Sequence, residues 1–445
     1  MDDLRRTALT APSPAAERIA AWFQELLRAE DFALDHVPLA DSREWAPRAG
    51  AIRHRTGRFF SVVGVRARFP DGAACEQPLL EQREVGTLLF LVREGGDLLV
   101  QAKVEPGNVG VIQLAPTFQA TGSNAARAHG GAPPPLHEWC LGVAHGTSVA
   151  STLQSEQGTR FLGKRNRNAA ILVAGDVPHG AHHRWLPARE LCSLLAADHM
   201  VNTDARSALL CMPWDLLAGG RPFGGDGFAG DLRASLDLPD ARAWRPLDEV
   251  VAGLAELAPW REAPGVVPLE RLAGWRMAEE GPEPAGGGSF RLRHVRVAAR
   301  SREVPEWDQP IVESAGPGEV ILPVGRFVGV PHFLFRPAVE PGFGSRVEFT
   351  PALTAPPGVR PAPADSFAAD LRAFGREIAS CLQSEEGGRF LRDENRYALL
   401  DVGEATDPPE GWCWLSLAQV RALLDRGESL TNEARSALSL LLGWL

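Results

Sequence analysis

Apolar residues recur at helical spacing from Ala15 to Glu30, with Ile19, Trp22, Phe23, Leu26 and Leu27 on one side, and predict an amphipathic helix. Strand-like runs follow over Phe59–Phe69, Thr87–Arg93 and Leu98–Glu105, and Glu94-Gly95-Gly96-Asp97 reads as a hairpin turn between the last two. In the third run Val100, Ala102 and Val104 alternate with Gln101, Lys103 and Glu105, so the period of two puts three polar residues on one face. Pro106-Gly107 ends that strand. Downstream the pattern predicts a helix over part of Leu153–Leu162, a short apolar strand over Ala170–Ala174, and helices over Pro187–Ala197 and Thr203–Leu210. Gly219–Asp231 is rich in glycine and poor in apolar anchors, which marks a domain boundary.

Beyond that boundary the chain repeats itself. Val37-Pro38-Leu39 returns as Val267-Pro268-Leu269, and Trp45 as Trp275. Val104-Glu105-Pro106-Gly107 returns as Val339-Glu340-Pro341-Gly342. LQSEQGTRFLGKRNRN from Leu153 returns as LQSEEGGRFLRDENRY from Leu382, and DARSALL at Asp204 as EARSALS at Glu433. Order is kept throughout, so the pattern is a duplication. It divides the chain into a first repeat at 1–219, a linker at 220–242 and a second repeat at 243–445.

The repeats differ where the polar chemistry is densest. Gln101, Lys103, Asn108, Gln119, Lys164 and Arg165 have Arg336, Ala338, Phe343, Thr354, Asp393 and Glu394 as counterparts. The first repeat therefore carries the ligand chemistry, and the second is a degenerate or differently used pocket. Glu105 and Arg160 have kept counterparts in Glu340 and Arg389, which suits a structural role as well as a functional one.

Neutral amides and hydroxyls crowd the first motif: Gln101, Asn108, Gln113, Thr117, Gln119, Ser123 and Asn124 beside Lys103 and Glu105. That mixture suits a polyhydroxylated ligand. Lys103 and Lys164 are the two lysines of a chain with 46 Lys+Arg, and both fall in polar motifs. Where arginine has replaced lysine nearly everywhere else, a remaining lysine points to a need for a compact ammonium. In the second motif Glu156, Arg160, Lys164 and Arg167 would share one helical face, with Arg165, Asn166 and Asn168 beside them. A cationic cluster next to amides suits a diphosphate; a solvated charged face is the bland alternative.

The net charge of -10 argues against general nucleic-acid affinity. No P-loop, no Rossmann glycine motif and no G-x-S-x-G elbow occurs. His179, His182 and His183 share a loop but lack the further ligands a metal site needs. The six cysteines form no C-x-x-C pair and read as reduced thiols of a cytoplasmic protein, and no run is long and apolar enough for a membrane span.

The combination VQAKVEPGN, QLAPTFQAT, Ser123-Asn124, His129 and QSEQGTRFLGKRNRN resembles the NDP-hexose 2,3-dehydratases of deoxysugar biosynthesis over nearly the whole chain. This chain departs from the family pattern at Ala125, where a Tyr is usual, and at Trp139. The resemblance implies an α+β protein built of two tandem Nudix-hydrolase-like mixed-sheet domains without the Nudix box, and a homodimer. It implies a substrate of the dTDP-4-keto-6-deoxyglucose type, no cofactor and no metal, and hand-off of an unstable product to a ketoreductase. Glu105 or His129 is then the expected base and Lys103 the partner of the enolate or leaving hydroxyl. Gln101, Asn108, Gln113, Thr117, Gln119, Ser123 and Asn124 are the expected sugar contacts, with Glu156, Asn166 and Asn168 beside them. Arg160, Lys164 and Arg165 are the expected diphosphate contacts. A catalytically silent nucleotide-sugar-binding protein is the alternative from another class, and a metal-dependent hydrolase stands behind it.

Overall fold

The computed structural model describes residues 13–141, 146–355 and 366–445. Helix α1 (Pro14–Ala29) begins at Ser13, whose side chain accepts the Ala16 N–H, and buries Ile19, Trp22, Phe23 and Leu26 as the pattern predicts. The strands used below are, in the first repeat, β1 (Ala33–His36), β2 (Ser61–Arg68), β3 (Gly86–Arg93), β4 (Asp97–Val104), β5 (Ile112–Ala115), β6 (Phe118–Ala120), β7 (Gly146–Ser155), β8 (Arg165–Val173) and β9 (His183–Pro187), followed by helix α2 (Thr203–Cys211). The second repeat supplies β10 (Glu262–Val267), β11 (Phe290–Ala298), β12 (Glu306–Ser314), β13 (Gly318–Phe327), β14 (Val330–Ala338), β15 (Glu348–Pro351), β16 (Leu353–Ala355), β17 (Arg376–Ser384), β18 (Glu394–Glu404) and β19 (Cys413–Ser416), then helix α3 (Asn432–Ser439).

Each repeat builds a seven-stranded mixed sheet of one topology. The first runs β7-β8-β3-β4-β9, with β5 on β4 and β6 on β3; the second runs β17-β18-β13-β14-β19, with β15 on β14 and β16 on β13. The β8–β3 and β18–β13 pairs are parallel and their neighbours antiparallel. The expected hairpin joins β3 to β4, with Gly95 and Gly96 both at positive φ. The described chain is thus α+β with mixed sheets.

The repeats are interlocked. Strand β1 pairs with β11 of the second repeat, and β10 pairs with β2 of the first. The Glu-Pro-Gly turns cross over in the same reciprocal way: Gly107 N donates to Gly387 O at 2.8 Å, and Gly342 N donates to Gly158 O at 2.7 Å. A Cβ on Gly107 would lie 1.5 Å from Phe390 O, and one on Gly342 1.8 Å from Phe161 O, so only glycine permits the docking. Helices α2 and α3 meet between the sheets, where the fully buried Arg435 donates to Ser207 Oγ at 2.7 Å and Arg206 to Ser439 Oγ at 3.3 Å. One apolar core runs through α1, both sheets and these helices.

Two segments differ from expectation or add to it. Leu153–Leu162 is not helical: β7 runs to Ser155 in register with β8, a turn follows, and Phe161–Leu162 forms a short strand. Threonine and valine in β7 favour an extended chain, while Gly158 is held against the opposite repeat by the Gly342 N–H. The glycine-rich stretch leads into a helix at Phe228–Leu236, and Ser235 Oγ donates to Pro331 O at 2.6 Å.

Candidate active site

A cavity of about 300 Å³ lies between the repeats. From the first repeat Lys103, Glu105, Gln119, Asn124, His129, Lys164, Asn166 and Asp204 line it. From the second come the loop that carries Arg302 to Asp308 and the turn that carries Glu386 and Arg389.

Period-two alternation in β4 turns Lys103 inward, and the strand's end places Glu105 beside it. Lys103 Nζ is 3.3 Å from Glu105 Oε1, and the two side chains are 7% and 4% exposed. Lys103 also donates to Gln119 O at 3.1 Å, while the Gln119 amide donates to Glu105 Oε1 at 3.3 Å. Asn202, the cap of α2, donates to Gln119 Oε1 at 3.0 Å. Glu105 Oε2 is buried and has no hydrogen-bond partner among the described residues.

A second buried pair crosses the repeats: Lys164 Nζ is 2.6 Å from Glu386 Oε2. Burial pushes the Glu386 carboxyl up, but Lys164 and Arg389 hold it below the ordinary carboxylate range. Glu156 accepts from Asn166 at 2.8 Å and from Asn432 at 3.1 Å, and burial raises its pKa. Burial, with Glu386 and Glu156 adding to it, raises the Asp204 carboxyl well above the usual range. Burial lowers the pKa of His129, whose Nδ1 accepts the Gly131 N–H at 2.9 Å. The Arg389 guanidinium lies over Phe60, 4.4 Å from its ring centre, and Asp308 is held by Ser42, the Arg43 N–H and His294.

The structure does not bring all the expected residues together. Gln101 sits half-buried in β4 opposite His183. Asn108 donates to Lys103 O at 3.4 Å and Val111 O at 3.3 Å, closing its turn. Gln113 donates to Ser384 Oγ at 2.5 Å, and Thr117 to Leu99 O. Ser123 donates to Glu84, and Asn168 to Asn166 O. Arg165 is 3.7 Å from Glu428. Arg160 lies over Phe290, 3.9 Å from its ring centre, in the second repeat's equivalent of the cavity. With the helix gone, Glu156, Arg160, Lys164 and Arg167 share no helical face. His179, His182 and His183 each donate to a different carbonyl, those of Val177, Ala102 and Thr117.

Arg302, Glu386, Arg389, Asp204 and Asp308 were not foreseen. The signal that could have found Arg389 and Asp204 was the duplication: Arg389 is the counterpart of Arg160, and Asp204 opens the repeated DARSALL motif.

The equivalent region of the second repeat holds Ala338 where the first has Lys103 and Asp393 where it has Lys164. Phe343 packs against Gly158, and Tyr397 OH, Asn395 and Gln157 all donate to Glu385. Burial pushes the Glu385 carboxyl up to about 8.

The sequence profile described as NDP-hexose 2,3-dehydratase matches residues 16–212 and 261–441. The chain belongs to the NDP-hexose 2,3-dehydratase family. The two stretches matched by the dehydratase profile fall on the two repeats. A protein of Streptomyces violaceoruber described as dTDP-4-dehydro-6-deoxy-alpha-D-glucopyranose 2,3-dehydratase is 35% identical over 438 residues, covering 94% of this chain and 95% of the relative. Relatives with the same description come from Amycolatopsis orientalis, 32% identical, and Saccharopolyspora spinosa, 34% identical; they cover 95% and 94% of this chain, and 89% of each relative is matched.

Proposed function

We infer that this NDP-hexose 2,3-dehydratase family member removes water across C2 and C3 of an NDP-4-keto-6-deoxyhexose of the dTDP-4-keto-6-deoxyglucose type. The observation that carries the reading is the buried Lys103–Glu105 pair on the cavity wall, with Glu105 Oε2 unpartnered. The C4 ketone acidifies the C3 proton. Glu105 takes that proton, and the Lys103 ammonium stabilises the C4 enolate. Loss of the C2 hydroxyl gives an enol that becomes a 3,4-diketo-2,6-dideoxy sugar. His129, kept neutral by burial, is the second candidate base. A positioned acid–base group contributes about 10²–10⁴ in rate.

Gln119, Asn124 and Asn166 are the sugar contacts this reading favours, because they line the cavity. Lys164, Arg302 and Arg389 are its cations for a diphosphate, in place of Arg160 and Arg165. A Nudix-hydrolase-like origin for each repeat is compatible with the shared mixed-sheet topology. The reading also includes a homodimer, a cytoplasmic setting, which the six free thiols suit, and a ketoreductase that consumes the reactive diketone.

The test is incubation with dTDP-4-keto-6-deoxyglucose in deuterated buffer without added metal. Loss of water, or release of nucleoside diphosphate from a decomposing diketone, is the expected result. Binding of the nucleotide sugar with neither elimination nor C3 exchange would leave a silent binding protein.

A further inference from the structure

Six carboxyl groups line the cavity against four lysine and arginine side chains. Lys103 stands against Glu105 at 3.3 Å, and Lys164 against Glu386 at 2.6 Å. Glu303 stands against Arg302 at 3.2 Å, Asp308 against His294 at 3.2 Å and Glu44 against His54 at 3.9 Å, while Glu156, which does not line the cavity, is satisfied by the amides of Asn166 and Asn432. Asp204 is left over. It is 2% exposed, it lines the cavity, and its Oδ1 has no hydrogen-bond partner among the described residues. Other acids face it from three elements: Glu105 at the end of β4, Glu156 after β7 and Glu386 after β17; the Lys164 ammonium, before β8, acts on it in the opposite sense. Its place in the first turn of α2 favours the anion, but burial and the three acids act the other way. A buried carboxyl without a cation of its own stays protonated.

We propose that Asp204 is the general acid that delivers a proton to the departing C2 hydroxyl. The inference rests on the 2,3-dehydratase reading and adds the group which that reading leaves unnamed. The electron count closes. Once the base has taken the C3 proton, the enolate pair returns to C4=O as the C3=C4 bond becomes C2=C3. The C2–O bond breaks, its electron pair takes the Asp204 proton, and water leaves. Ketonisation then moves a proton to C2 and releases the one on the C3 oxygen. Asp204, now a carboxylate under the charges of Glu156 and Glu386, recovers its proton from solvent before the next turnover. A neutral acid suits the step, because an anion at this place would repel the enolate that forms beside it.

The test compares Asp204→Asn with the unmodified full-length protein on a 4-keto-6-deoxyhexose nucleotide in deuterated buffer. Two rates are read, deuterium entry at C3 of recovered substrate and loss of water. Asparagine keeps the size of the side chain but has no proton to give. C3 exchange is expected to continue while elimination falls by about 100-fold or more. Asp204→Glu should keep at least about a tenth of the elimination rate, since Glu433 fills the same place in the second repeat. If the asparagine variant does not fold, Asp204→Ala carries the same expectation of exchange without elimination. Elimination within about threefold of the unmodified rate would overturn the proposal. So would equal loss of exchange and elimination in a variant with an unchanged melting temperature. An unmodified protein that loses no water overturns the parent reading as well, so the two failures are told apart by the control.

Discussion

Lys103 is held by a carboxylate and a backbone carbonyl on the wall of a cavity, where it presents a compact ammonium rather than arginine's planar fork. Lys103→Ala should cut turnover by at least about 10²-fold, the usual loss when a preorganised donor to a developing oxyanion is removed. It should also lower stability by about 1–3 kcal/mol, because Glu105 keeps only the Gln119 amide. Initial rates and urea unfolding of the same preparation check both figures. Glu385 supports a second residue-scale prediction. The folded chain keeps a proton there up to about pH 8, whereas an ordinary glutamate releases it near 4.5. Stability from this group is therefore full below about pH 4.5 and is lost as the pH rises towards 8. Glu385→Gln should make the fall in melting temperature between pH 5 and pH 8 shallower by about 1 °C or more, since about 1 kcal/mol moves the midpoint of a cooperative unit of 445 residues by about 1 °C. Calorimetry at the two pH values reads the slope. What was legible at this scale was local: Lys103, Glu105 and Gln119 lie within one short stretch, and alternation alone aims the first two at one face. Arg389 and Glu386 reach the cavity from more than 200 residues away. Arg160 leaves it by the reciprocal route, and no spacing rule follows a side chain across a strand exchange.

At the scale of elements, the amphipathic α1, the glycine hairpin and the α2 helix were readable because each has a strong local period or turn signal. Leu153–Leu162 was not. Its charges fall at helical intervals by coincidence, while pairing with β8 and docking of Gly158 on the opposite repeat decide its shape. The two Glu-Pro-Gly turns are the tightest of these dockings. Gly107→Ala and Gly342→Ala should each destabilise by about 3 kcal/mol or more, above the usual cost of one extra methyl in a packed site, since backbone rather than a flexible side chain stands in the way. Midpoints in urea would check this. Gly57→Ala has nothing within 4 Å and serves as the comparison for the added methyl, its positive φ alone opposing it.

For the whole molecule, reciprocal pairing of β1 with β11 and β10 with β2 means that each half completes the other's sheets. A chain cut at a protease site placed at Gly225, in an exposed turn, should stay associated and keep its cavity. Residues 1–219 produced alone should not give a soluble, nucleotide-sugar-binding protein. Size exclusion of the cut chain and of the isolated half separates the two outcomes. The duplication was plain in the sequence. That the copies interlock was not, because exchanged strands keep the same hydrophobic pattern as unexchanged ones.

The strand exchange also bears on how such chains can be recombined. Residues 220–227 look like a natural seam for splicing halves of two relatives into a hybrid with a new sugar preference. A splice there would pair one parent's Lys103, Glu105 and Lys164 with the other parent's Arg302, Glu386 and Arg389, and every hybrid would carry a chimeric pocket. With the proposed site, the heritable unit of specificity is therefore not a half of the chain. It is a patchwork drawn from both, and a donor's preference travels intact only when both sets of wall residues move together.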